Sequence, residues 1–93
     1  MAQYSVVWTA YFTRSARKFL RKHPELRGAF AETLQLLATN PFAPSLRPHA
    51  LSGRLAGKQA VSINYSYRIV LFVEVKDREV ILYDVGSHDD VYG

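Results

Sequence analysis

The chain has no cysteine, one methionine and one tryptophan among its 93 residues. Without cysteine there can be no disulfide framework, no zinc ribbon and no thiol nucleophile. Nothing then calls for an oxidising compartment, and the expected location is the cytoplasm. No apolar run approaches the ~18 residues of a spanning helix, so no membrane is expected among its partners. The N-terminal region does not read as a signal peptide, because Arg14, Arg17 and Arg21 are interleaved with Phe12, Phe19 and Leu20 instead of preceding them. Also missing are G-x-x-x-x-G-K-[ST] and G-x-G-x-x-G, the backbone cradles of nucleotide cofactors. The three histidines, His23, His49 and His88, match no compact metal-ligand spacing, so neither metal nor other cofactor is expected. There is no repeat, low-complexity tract or linker, and residues 1–93 read as one domain.

What the chain does carry is positive charge, unevenly spread. Twelve Lys and Arg stand against eight Asp and Glu, for a net charge of +4. Residues 1–60 hold nine of the cations and two of the acids, while residues 61–93 hold three cations and six acids. A basic half is the footprint expected of a partner rich in phosphate, although a solvated cationic surface reads the same way.

Hydrophobic periodicity organises the chain. Tyr4–Trp8 reads as a short first strand. Thr9 is a candidate helix cap, after which Phe12, Ala16, Phe19 and Leu20 recur on one helical face and Arg14, Arg17, Lys18 and Arg21 on the other. His23-Pro24 breaks that helix, and Leu26, Phe30, Leu34 and Leu37 define a second, which ends at Asn40-Pro41. From Pro41 to Gly57, three prolines and two glycines predict irregular structure. The period then drops to two, and Lys58–Ile63, Arg68–Val75 and Glu79–Val85 read as strands of an antiparallel meander, followed by a polar tail from Gly86. The expected fold is α+β, β-α-α-β-β-β, with an antiparallel sheet covered on one face by a two-helix hairpin.

His23 sits at a helix end, where a cation favours the carbonyl pole, so capping outweighs chemistry there. His49, in the irregular segment, and His88, at the exit of the last strand, are the candidate chemical groups. Ser87-His88-Asp89 is not a triad, because adjacent side chains diverge. Histidine, arginine and tyrosine without metal suit one reaction well, the cleavage of RNA. That reaction needs a base for the ribose 2′-OH, an acid for the leaving 5′-oxygen and a cation for the phosphorane. Histidine titrates near neutrality and can fill either proton-transfer role. DNA lacks the 2′-OH and would be spared.

Three strings fall in order along this pattern: His49-Ala50-Leu51-Ser52-Gly53, Tyr67-Arg68-Ile69-Val70 and Gly86-Ser87-His88-Asp89-Asp90-Val91-Tyr92. In these strings the chain resembles the RelE/ParE superfamily of toxins from bacterial toxin–antitoxin modules, most closely the RelE/YafQ-like messenger-RNA endonucleases. The resemblance implies cleavage of mRNA in the ribosomal decoding site and neutralisation by a cognate antitoxin protein. It further implies that His49 and His88 are the acid and base, in an order left open, that Tyr92 stacks on or orients the substrate, and that Arg68 joins them. Relatives carry a histidine and an aspartate near Ser62 and Ser66, or an arginine near Ile63, where this chain has none. Charge stabilisation then falls to Arg68, Arg47, Arg54 or Lys58, with Arg17 and Arg21 as further phosphate contacts. Two other outcomes fit the same superfamily: a gyrase-inhibiting toxin, and a weak or inactive relative that only binds its antitoxin.

Overall fold

The computed structural model describes residues 3–92, apart from the side chains of Asp90 and Tyr92. Strand β1 (Ser5–Trp8) leads into helix α1 (Ala10–Lys22). Thr9 caps that helix as its position predicts, its hydroxyl accepting from the Phe12 N–H at 3.0 Å and donating to the Leu82 carbonyl at 2.8 Å. One side chain therefore starts the helix and ties it to strand β5 (Glu79–Ser87). The helix stops at His23, and Pro24, which has no N–H to give, opens a single 3₁₀ turn before helix α2 (Arg27–Thr39). Asn40 ends α2, and its side chain accepts from the Phe42 N–H at 3.0 Å.

The sheet has five strands in the order β1-β5-β4-β3-β2, with β2 at His49–Ala50, β3 at Gln59–Ser62 and β4 at Tyr67–Glu74. Strands β3 to β5 form the expected antiparallel meander, with the apolar β4 at its centre, and β2 adds a further antiparallel strand beside β3. The sheet is mixed, however, and not wholly antiparallel. Strand β1 joins β5 in parallel, from Ser5 beside Glu79 to Trp8 beside Leu82. Alternation within a strand does not encode the direction of a partner so remote in sequence. Two short elements also differ from expectation. β2 lies inside the proline-rich stretch, and the polar tail folds as a continuation of β5 to Ser87 followed by helix α3 (His88–Tyr92). Two residues of edge strand and one turn of helix are too short to display a period.

The helices cover one face of the sheet. Phe12, Ala16, Phe19, Phe30 and Leu37 pack with Val61, Ile69, Leu71, Val80 and Leu82 in one buried cluster. Phe12 and Phe19 meet Phe30 at ring centroid distances of 6.2 and 6.4 Å, joining the two helices. Fully burying each such side chain stabilises the fold by about 1.5–3 kcal/mol. Four further apolar side chains, Leu55, Ala60, Val70 and Val91, are buried outside this cluster. Ala60 and Val70 are cross-strand partners one residue out of phase with the core positions, so they belong to the opposite face. Helix α3 contacts β4 and β5 and contributes Val91.

Candidate active site

Residues paired across strands turn their side chains to the same face, so the ladder decides which groups meet. One rung runs His49–Ala60–Val70, and the next runs Ser62–Arg68–Gly86. Both lie on the face turned away from Val61, Ile69 and Leu71. This face carries an open cleft of about 510 Å³, lined by His49, Ser62 and Arg68 together with Arg47, Asn64 and Tyr65. His88 begins α3 two residues beyond Gly86, the β5 partner of Arg68. Arg68 therefore sits on a diagonal of the sheet, two strands from His49 and one strand from His88. Three strand spacings separate the two histidines across the sheet, roughly 14 Å of backbone. They flank Arg68 and do not adjoin one another.

The cleft is cationic. Among the described residues the carboxylates within 4 Å of a basic side chain are Glu25, 3.6 Å from the His23 imidazole, and Asp89, 3.8 Å from that of His88, so none of them neutralises Arg47 or Arg68. Arg68 is half-buried on β4, which fixes its backbone, and it lines the cleft. Arg47 is exposed and adopts a left-handed backbone, with φ at 52°. For a residue with a Cβ that conformation costs about 1–2 kcal/mol, and such strain gathers where a side chain must be aimed.

The other expected residues are distributed elsewhere. Arg54 lines a separate hollow with Tyr11, Tyr83, Asp84 and Val91. The Lys58 ammonium rests 4.6 Å from the centre of the Tyr83 ring. Arg17 and Arg21 are exposed on α1, in the layer across the sheet from the cleft. His23 terminates α1 and packs against Phe19 and Tyr67 at 5.1 and 4.7 Å, a structural place in agreement with the capping expectation. Tyr92 has its backbone in α3, but the expectation for its ring lies outside the described residues. Ile63 lines the cleft and also packs against the main core, and as an isoleucine it brings the cleft no charge. Among the described residues no three His, Asp or Glu side chains gather closely enough to hold a metal ion. Asn64 and Tyr65, in the connection between β3 and β4, join the cleft wall without having stood out in the sequence. The asparagine, a residue suited to tight turns, was the available signal.

Residues 4–93 match the family model described as the bacterial toxin of the type II toxin–antitoxin system, YafQ. The chain belongs to this YafQ family of toxins. No curated protein matches it by sequence. Among solved structures, the YafQ family member from E. coli strain BL21(DE3) superposes with a TM-score of 0.80 at 15% identity, over 98% of this chain and 100% of that one. A YafQ chain in the E. coli DinJ–YafQ toxin–antitoxin complex gives 0.78 at 15% identity, over 98% and 99%. A YoeB/ParE toxin from Agrobacterium tumefaciens gives 0.75 at 20% identity, over 90% and 98%. At these identities the likeness is one of fold. The YafQ fold thus accounts for the mixed sheet and the helix pair, while the chemistry of the cleft has to be argued from its own residues.

Proposed function

We propose that this YafQ-family toxin is an endoribonuclease that cleaves mRNA on the ribosome, without metal, by acid–base catalysis across the Arg68 cleft. The observation that carries the reading is a cleft in which His49 and Arg68 share one sheet face beside Arg47, with His88 starting α3 two residues past the β5 partner of Arg68. Single-stranded RNA laid over Arg68 would put a phosphate against a guanidinium that no carboxylate among the described residues neutralises, with the His49 imidazole in the same cleft and His88 at the exit of the neighbouring strand. One histidine accepts the proton of the ribose 2′-OH as that oxygen attacks phosphorus. The other donates a proton to the 5′-oxygen as the P–O bond to it breaks, and a 2′,3′-cyclic phosphate remains. Arg68 holds the charge that builds on the phosphorane oxygens, and Arg47 adds a second cation at the rim. Ser62 brings a hydroxyl, not a charge, so these arginines carry the electrostatic load.

The surrounding residues take graded parts in this scheme. Arg17 and Arg21, across the sheet, suit contact with ribosomal RNA and not the scissile phosphate. Tyr92 is assigned to orienting the substrate on the strength of the family resemblance. A cognate antitoxin that covers the toxin is supported by the family description and by the complex in which the E. coli relative is seen.

The test is expression of His49→Ala and His88→Ala, with primer-extension mapping of messages on ribosomes. Each change should lower cleavage by about 100- to 10,000-fold, the usual contribution of one acid or base. Growth arrest and cleavage that persist in both variants would overturn the assignment.

A further inference from the structure

Tyr65 is 96% exposed, the most exposed large aromatic or aliphatic side chain among the described residues. Tyrosine in a hairpin turn serves no packing purpose here, since among the described residues its ring meets no other ring and no cation. The turn beneath it is nevertheless firmly built. Ile63 N–H donates to the Tyr67 carbonyl at 2.9 Å and closes the loop. The Asn64 carboxamide oxygen accepts from the Ser66 and Tyr67 N–H groups, both at 2.9 Å. A rigid three-residue loop therefore holds an unused aromatic face at the wall of the cleft that also holds His49, Arg47 and Arg68.

An exposed ring beside cations is what unpaired nucleic acid recognises, because each base offers a π-face while its phosphate seeks the guanidinium. We infer that Tyr65 is a stacking platform for one unpaired nucleobase of the substrate, adjoining the phosphate held at Arg68. This inference rests on the endoribonuclease reading and adds to it a positioning residue. The platform is indifferent to base identity, since stacking reads a face and not a hydrogen-bonding edge. It also explains why the turn is stiff: a ring already held in place loses less freedom when a base settles on it.

The experiment uses the full chain and ribosomes programmed with an mRNA that carries 2-aminopurine in the decoding-site codon. In one preparation that codon is 2′-O-methylated, which removes the nucleophile and permits binding without cleavage. Stacking quenches 2-aminopurine, so quenching should appear with the unmodified toxin and vanish with Tyr65→Ala. Affinity should fall roughly 5- to 150-fold in Tyr65→Ala, and Tyr65→Phe, which keeps the ring, should recover most of it. Circular dichroism of Tyr65→Ala should be unchanged, as expected for a side chain in solvent. Cleavage of unmethylated mRNA by the unmodified toxin, with quenching and affinity unchanged in Tyr65→Ala, overturns the platform and leaves the endoribonuclease reading standing. Tyr65→Phe failing as badly as Tyr65→Ala overturns it too, since the hydroxyl would then be the working group. If the unmodified toxin cleaves no ribosome-bound mRNA, both readings fall together.

Discussion

Replacing Arg68 with alanine isolates the charge stabilisation on which the proposed reaction depends. Arg68 is held on a central strand between Ser62 and Gly86, and among the described residues no carboxylate competes for it. Two unit charges about 4 Å apart, at an effective dielectric constant near 20, attract by about 4 kcal/mol. Removing a single transition-state donor in other enzymes costs about 2.7–4 kcal/mol, which agrees with that figure. At about 1.36 kcal/mol per tenfold change, Arg68→Ala should slow single-turnover cleavage of ribosome-bound mRNA roughly 100- to 1000-fold. Arg68→Lys retains the charge and loses the planar fork, so its rate should fall between the two. The fold should tolerate both changes, with less than about 1 kcal/mol lost in urea titrations, because the side chain is half-buried and its loss breaks no ion pair among the described residues. A rate for Arg68→Ala within a few-fold of the unmodified toxin would refute the argument. So would a rise in KM at constant kcat, which would reduce the arginine to ground-state binding.

Other residues make separable predictions. Thr9→Ala removes both the cap on α1 and the bond to the Leu82 carbonyl, and should cost about 2–3 kcal/mol in denaturant titration. Phe12→Ala, at a side chain with 0% exposure, should cost about 3–5 kcal/mol, and calorimetry should find a markedly lowered melting temperature. Arg47→Gly releases the left-handed backbone, so the melting temperature should rise, by the equivalent of up to about 1 kcal/mol, while cleavage weakens. A variant that is both less stable and fully active would contradict the role given to that strain.

The helices and three long strands were legible because each runs for at least one full period with a breaker at its end. Thr9, His23-Pro24 and Asn40-Pro41 did the punctuating, and the structure places caps or stops at each. The parallel docking of β1 was not legible, since strand direction follows from the global path of the chain and not from local alternation. Strand β2 and helix α3 escaped for want of length. In the site, His49 and Arg68 could be named from their motifs, but their shared face follows only from the register of β2, β3 and β4. The dispersal of Arg54 and Lys58 toward Tyr83 was equally invisible, because a loop's cations are free to turn either way until the ladder is known.

The pairing of β1 with β5 also bears on the birth of the molecule. A nascent chain leaves the ribosome from its N-terminus, so Ser5–Trp8 must wait for its neighbour until Glu79–Ser87 has been synthesised. Through that interval the α1 cap has no Leu82 carbonyl to meet, and the central strand has one flank bare. The sheet that walls the cleft is thereby closed along its β5 side only after Glu79–Ser87 has been made.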